Sequence, residues 1–488
     1  MKIAFSTLLL LLLCLPQAPG QTYQPTWESL DKRPVPAWFG QDKFGIFIHW
    51  GVYSVPAYRP VGKERYASYA EWYEAEVMHK PGPGREFHER TYGKDFTYRD
   101  FAPMFRAELF DPEEWAALFK RAGARYVVLT AKHHDGFCLW PTKSRYNMGW
   151  NSVESGPGRD IVGEVTQAVR AEGLRMGLYY SLLEWETPTP SRQDKPYLPS
   201  PLMEKYRIPA DQYIDDHVVP QLKELVTNYQ PAVIFADGAW DEPSDYWKSK
   251  GFLAWLYNNA PNKDEVVVND RWGKDVHEKH GDYYTSEYAS ADNSMGTGHP
   301  WEENQGIGGS YGFNRAEKPE DYKTSAQLVH LLIDRVSRGG NLLLNVGPAA
   351  DGTIPVLMQE RLLDIGKWLG VNGEAIYGTK PWPDAPRPAA AKGSKAKAAT
   401  VGVVAAPDRA YYTTKGNTLY VIRPEWPAGP FAVAPLTTRS TIKVTCLGVP
   451  GAVKWKTEKG QVTIMPPPLP AATLPCRYAY VFKVENAF

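Results

Sequence analysis

The chain reads as an α/β protein: a (β/α)8-like barrel of the TIM type, followed by a C-terminal antiparallel β-sandwich. Three observations carry that expectation. Short apolar runs alternate with segments of helical periodicity over most of the chain, the pattern of a parallel sheet covered by helices. Most of these runs end on a polar or ionisable residue, as barrel strands do where their C-terminal ends carry chemistry. Beyond residue 383 the helical periodicity stops and short strand-like runs take over. A length of 488 residues suits a barrel with an appendage.

Taken in order, residues 1–20 combine Lys2, an apolar run to about Leu15, and the small residues Ala18 and Gly20. That is the pattern of a secretory leader cleaved near Gln21. The run is too short to span a bilayer, and Leu13 ahead of Cys14 makes a poor lipid-attachment signal. Secretion or periplasmic export is expected, or a lysosome in a eukaryote. Three cysteines remain, Cys138, Cys446 and Cys476, too few for a disulfide framework. Nothing in the sequence decides whether Cys446 and Cys476 pair.

Residues 21–382 form the expected barrel. The run from Lys43 to Trp50 alternates Phe44, Ile46 and Ile48 with Gly45, Phe47 and His49, so His49 stands at a strand end. Asp111 and Pro112 open a helix with acidic residues behind them, and Trp115, Leu118 and Phe119 give its buried face. Residues 125–131 are the second strand, running into Lys132-His133-His134-Asp135. A helix from about Asp160 to Ala171 and the strand 174–181 follow. Next come a helix through Val218, Leu222, Leu225 and Val226, and the buried strand 232–237, which stops at Asp237-Gly238. Residues 265–269, 283–287 and 341–346 are further strands. That makes seven; the eighth has no clear signature. Residues 383–400 are rich in Pro, Ala and Lys and read as a linker. Residues 401–488 carry the sandwich strands and no cluster of carboxylates or histidines.

The formal net charge is zero, and no basic face argues for nucleic acid. Aromatics make up 13%, with 17 Trp and 29 Tyr, a surplus suited to stacking on sugars. Asp237, at a strand end between Phe235 and Trp240, is the leading nucleophile candidate; the bland alternative is a cap on the next turn. Glu287 at another strand end supplies the second carboxylate that glycoside hydrolysis requires. Glu302 and Glu303 are its rivals, expected in a loop rich in Gly, Asn and Pro. Arg271 stands near both candidates in sequence. His133 and His134 are neighbours, so in regular strand geometry they face opposite ways, which argues against joint chelation with Asp135. Imidazoles donating to sugar hydroxyls are the expected use. No metal or cofactor is expected.

Phe44-Gly-Ile-Phe-Ile-His-Trp-Gly51, Lys132-His-His-Asp-Gly-Phe137, the strand ending in Asp237-Gly238, Asn269-Asp-Arg-Trp272 and Gly340-Asn-Leu-Leu-Leu-Asn-Val-Gly347 resemble the motifs of the α-L-fucosidases of glycoside hydrolase family 29. The resemblance runs from about Trp27 to Trp382. It implies a retaining exo-hydrolase that releases L-fucose from fucosylated oligosaccharides or glycoconjugates. Asp237 matches the family nucleophile and Glu287 the acid/base. His49, Glu71, Trp72, His133, His134, Tyr179 and Arg271 match residues around the sugar. Between Tyr179 and Tyr180, alternation sends one inward and the motif favours the first. Phe47, Phe235 and Tyr311 are candidates to line the pocket around the sugar's methyl group, with Phe235 standing where many members carry Trp. Two other classes stay open: a secreted fucose-binding protein on an inactive barrel, and a metal-dependent hydrolase using His133, His134 and Asp135.

Overall fold

The computed structural model describes residues 22–62, 64, 66–288, 298–386, 409–433, 436, 441–458 and 461–488. The expected leader and its cleavage point at Gln21, and residues 387–400 of the expected linker, lie outside the described residues. The centre is an eight-stranded sheet in the order β5-β4-β3-β2-β1-β8-β7-β6. Its strands are β1 Phe44–Ile48, β2 Tyr126–Lys132, β3 Arg175–Ser181, β4 Val233–Asp237, β5 Val267–Val268, β6 Tyr284–Glu287, β7 Trp301–Gly306 and β8 Asn341–Val346. Every pairing in it is parallel. The ladder does not run between β5 and β6. There the gap is bridged just ahead of β6, where the Asp282 amide donates to the Val268 carbonyl at 3.0 Å.

Period-two alternation explains which side chains enter the barrel. Phe47, Tyr126, Val128, Tyr179, Val233, Phe235 and Leu343 share one interior cluster. Their neighbours Ile46, Ile48, Leu178, Tyr180, Ile234 and Leu344 pack outward against the helices. The longer helices are α1 Pro112–Arg121, α2 Ile161–Ala171, α3 Val219–Tyr229, α4 Ser249–Asn259, α5 Ser325–Ser337 and α6 Val356–Asn372. Asp111 caps α1 as its sequence predicts, accepting from the Glu114 amide at 2.9 Å. Gln230 ends α3 in the left-handed region, at φ 49°.

Two expectations about strands are corrected. The missing strand is β7, so Glu302 and Glu303 lie in the barrel wall and not in a loop. Its sequence, Trp301-Glu-Glu-Asn-Gln, has no apolar run to announce it. β2 ends at Lys132, with a register irregularity beyond Thr130. His133 and His134 therefore follow the strand, and their rings come together at 4.2 Å instead of facing opposite ways.

The C-terminal region forms a six-stranded and a three-stranded antiparallel sheet, with an apolar cluster that includes Val421, Val444, Ile464 and Phe482. It is anchored on the barrel's helical shell. The Trp368 indole of α6 donates to the Ala479 carbonyl at 2.9 Å, and the Tyr478 hydroxyl donates to Asp364 at 2.9 Å. Cys138, Cys446 and Cys476 are free thiols. No helix among the described residues is long and apolar enough to cross a membrane.

Candidate active site

At the C-terminal rim of the barrel lies a cavity of about 830 Å³. It takes in all twelve site residues that the sequence singles out: Asp237 and Glu287, then His49, Glu71, Trp72, His133, His134, Tyr179 and Arg271, and the apolar candidates Phe47, Phe235 and Tyr311. Among the described residues, none of the C-terminal sheets lines it. Each group arrives by a simple route. Asp237 is the last residue of β4 and follows Phe235 on the inward face. Gly238 then turns the chain at φ 75°, where a Cβ would sit 2.8 Å from that of Leu183. Glu287 closes β6, and Arg271 lies just beyond β5.

Arg271 organises the two carboxylates. Its Nη1 donates to Asp237 Oδ1 at 3.1 Å and its Nη2 to Glu287 Oε2 at 3.2 Å. Its Nε donates to Thr285 Oγ1 at 2.9 Å, and that hydroxyl donates to the buried Asp270 at 2.7 Å. The guanidinium thus has a fixed plane, set by a planar fork matched to carboxylate geometry. The second Asp237 oxygen accepts from the Tyr179 hydroxyl at 2.9 Å and has His134 Nε2 at 3.8 Å. Burial alone would raise the Asp237 carboxyl. Arg271, together with the hydrogen bond from Tyr179, outweighs that push and holds it below the usual carboxylate range. Glu287 Oε1 accepts from the Tyr69 hydroxyl at 2.7 Å.

Burial favours the neutral form of all three imidazoles. Burial drops His49 to about 3 and His134 to about 4, and pushes His133 well below its usual range. His49 Nδ1 is 2.7 Å from Asn345 Oδ1, while the Asn345 amide nitrogen donates to the Tyr311 carbonyl. His134 Nδ1 is 2.6 Å from Ser181 Oγ, whose own proton goes to the Leu183 carbonyl. In both rings Nδ1 must carry the proton, which leaves Nε2 as a lone-pair acceptor. With this assignment the free ring nitrogen of each is an acceptor, where the sequence suggested a donor. Glu71 is buried, accepts from the Gly312 amide at 2.9 Å, and is pushed up to about 7 by that burial.

Several alternatives resolve on contacts. Tyr179 faces the cavity, whereas the Tyr180 hydroxyl reaches Gln221 on α3 at 2.8 Å. Asp135 does not join the histidine pair. Its oxygens accept from the Tyr98 hydroxyl at 2.7 Å and the Phe137 amide at 3.1 Å. No cluster with metal-ligand geometry occurs among the described residues. Glu302 points into the barrel interior, accepts from the Tyr126 hydroxyl, and is pushed up to about 8 by burial. Glu303 accepts from Ser286 and from Gln305 Nε2, with Arg335 of α5 3.9 Å away. Neither glutamate lines the cavity.

Tyr69, Asp270, Thr285 and Asn304 also line the cavity without having been singled out. Asp270 and Thr285 sit one and two residues from Arg271 and Glu287, so adjacency was an available signal. Tyr69 lies in an irregular connection, and its position two before Glu71 was the one hint. Phe47 packs against Phe235 at 5.1 Å and Tyr311 at 6.3 Å, giving the cavity an aromatic floor.

Two carboxylates joined through one guanidinium, in a polar cavity at the C-terminal end of a parallel barrel, form the arrangement of a carboxylate-dependent glycosidase. Comparison with known proteins specifies the kind. The α-L-fucosidase family model matches residues 10–374, and that of the α-L-fucosidase C-terminal domain matches residues 406–485. The tissue α-L-fucosidase of Homo sapiens is 42% identical over 98% of this chain and 97% of its own. The α-L-fucosidase of Dictyostelium discoideum is 46% identical over 76% of this chain and 78% of its own. A crystal structure of Thermotoga maritima α-fucosidase in complex with fucose superposes with a TM-score of 0.75 at 39% identity, covering 95% of this chain and 100% of that one. The chain belongs to the α-L-fucosidase family.

Proposed function

We propose that this chain is an exo-acting, retaining α-L-fucosidase that releases L-fucose from fucosylated oligosaccharides or glycoconjugates by double displacement. The observation that carries the reading is the Arg271 fork between Asp237 and Glu287. Asp237 is the nucleophile: its carboxylate, kept ionised by Arg271 against the pull of burial, attacks the anomeric carbon. Glu287 protonates the leaving oxygen and then, as carboxylate, takes the proton from the water that hydrolyses the β-linked fucosyl-enzyme. Arg271 serves both halves, since a planar donor that spans the two groups keeps each aimed at the bond between them.

The walls divide by polarity in the way a 6-deoxy sugar requires. His49, Glu71, His133 and His134 offer donors and acceptors for hydroxyls, and Phe47, Phe235 and Tyr311 offer an apolar surface for the methyl group. The fucose complex of the Thermotoga maritima relative supports the same substrate class. Export, with residues 1–20 removed near Gln21, is part of the proposal and fits the sequence of the leader. Hydrolysis of an aryl α-L-fucoside followed by NMR tests the reading. The first-formed product should be α-L-fucose, with the β anomer appearing only by mutarotation. β-L-Fucose as the first product, or no turnover, overturns it.

A further inference from the structure

Behind the histidine pair lies a buried charged unit that the chemistry above does not use. Lys132 is the last residue of β2, Glu184 lies just beyond β3, and His217 stands on a turn of π-helix, Tyr213–Val218. All three are buried, and none of them lines the cavity. The Lys132 ammonium donates to Glu184 Oε1 and, at 3.1 Å, to the Tyr180 hydroxyl. His217 Nε2 lies 2.6 Å from the same Glu184 oxygen, and its Nδ1 lies 2.7 Å from Ser144 Oγ. Burial alone would raise the Glu184 carboxyl. Lys132, together with the hydrogen bond from His217, outweighs that push and holds it below the usual carboxylate range. Facing a carboxylate, His217 Nε2 carries the proton and donates.

Stability alone is a poor reason for such a unit. Desolvation offsets the attraction of a buried ion pair, and apolar residues of similar volume often serve as well or better. The π-turn that carries His217 is itself a rare geometry, found most often at functional sites. What the unit holds is residues 181–185, and that segment grips two groups of the active site. The Leu182 amide donates to the Asp237 carbonyl at 2.8 Å, and the Trp185 amide donates to the His134 carbonyl at 2.9 Å. Ser181 Oγ lies 2.6 Å from His134 Nδ1. The π-turn holds the same segment a second time: the Tyr213 hydroxyl donates to the Leu182 carbonyl at 2.7 Å. The turn after the histidines also rests on Glu184, since a Cβ at Gly136 would sit 3.2 Å from its carboxyl.

We infer that Lys132, Glu184 and His217 are positioning residues, which lock residues 181–185 so that the Asp237 carboxylate and the His134 ring stay aligned on the anomeric carbon. Their part in the reaction rests on the function proposed above; the clamp itself does not. His217→Phe keeps the bulk of the ring and the Lys132–Glu184 pair but removes the donor to Glu184. His217→Gln returns an N–H near the place of Nε2. On an aryl α-L-fucoside, His217→Phe should lower kcat about tenfold with KM within about threefold, and His217→Gln should regain most of the loss. Lys132→Met combined with Glu184→Leu removes both charges at once, so Tm should stay close to that of the wild type while kcat falls at least as far. NMR of labelled histidine rings follows the clamp without substrate. At neutral pH the wild type should show His134 as the Nδ1–H tautomer, and His217→Phe should broaden that signal or mix the tautomers. A kcat within about twofold of the wild type in both His217→Phe and the double variant, with the His134 signal unmoved, refutes the clamp. A lower Tm with kcat intact, or failure of both variants to fold, assigns the unit to stability and refutes it equally. A wild type that is inactive on fucosides, with the His134 signal responding as expected, refutes the function and leaves the clamp standing.

Discussion

Replacing Arg271 by methionine removes the guanidinium while keeping most of the volume of its stem. Asp237 is 13% exposed at its side chain, so burial presses its carboxyl toward the neutral form; Arg271 is the largest influence opposing that. The substitution deletes the 3.1 Å bond to Asp237 and the 3.2 Å bond to Glu287 and leaves burial untouched. A hydrogen bond to a charged group contributes about 1.5–3 kcal/mol. One unit of pKa corresponds to about 1.4 kcal/mol. The value for Asp237 should therefore rise by about one to two units. The reactive form is the ionised one, present above this value and lost as pH falls through it. The acidic limb of kcat/KM should thus move to higher pH by the same amount, since kcat/KM reports groups of the free enzyme. If the carboxylates couple, the limb belongs to the pair, and the direction is unchanged. The assay is hydrolysis of an aryl α-L-fucoside with a good leaving group across the acidic range. A limb that stays in place, or moves down, refutes the claim that Arg271 keeps Asp237 charged.

Two further outcomes are expected. L-Galactose differs from L-fucose by a hydroxyl on the methyl carbon; burying it unpaired against Phe47, Phe235 and Tyr311 costs about 1–3 kcal/mol. Aryl α-L-galactoside should be slower in kcat/KM by about tenfold or more, and equal rates would show that the apolar wall is not there. Glu302 concerns stability and not catalysis. Its carboxyl is raised to about 8, so between its ordinary value and about 8 the folded chain keeps a proton that the unfolded chain releases. Stability falls as pH rises through that window. Glu302→Gln removes the dependence: near neutral pH its Tm should equal or exceed that of the wild type, with the gap closing toward acidic pH and kcat preserved. A variant that loses activity, or whose Tm falls below the wild type only at neutral pH, contradicts this account.

The barrel was legible wherever a strand is flanked by helices and buried on both faces, because its sequence is then an apolar run. β1, β4 and β8 are of this kind. β7 is not: Glu302, its carboxyl raised by burial, is partnered by Tyr126 across the barrel, and Glu303 is partnered by Ser286 and Arg335, so carboxyl groups occupy positions where an apolar run would be looked for. Partners distant in sequence satisfy those groups, and a local pattern cannot display them. The histidine pair was misdirected for the opposite reason. The alternation rule is sound, yet β2 ends at Lys132, before either histidine. The polarity of His49 and His134 was out of reach for the same reason as β7, since it is set by Asn345 and by Ser181, at other strands. Tyr69 was invisible because irregular chain has no period to read.

Azide rescue tests the two carboxylate roles most directly. Asp237→Gly opens the β face at the anomeric carbon, where azide can stand in for the lost carboxylate and react with one inversion. An activated α-fucoside should then yield β-fucosyl azide. Glu287→Gly keeps the nucleophile and still forms the β-linked fucosyl-enzyme when the leaving group needs no proton. Azide attacks that species from the α face, a second inversion, and the product should be α-fucosyl azide. Opposite anomers from the two variants are the result the account predicts. The same anomer from both, near-normal hydrolysis by Asp237→Gly without azide, or undiminished hydrolysis of poor leaving groups by Glu287→Gly would contradict it.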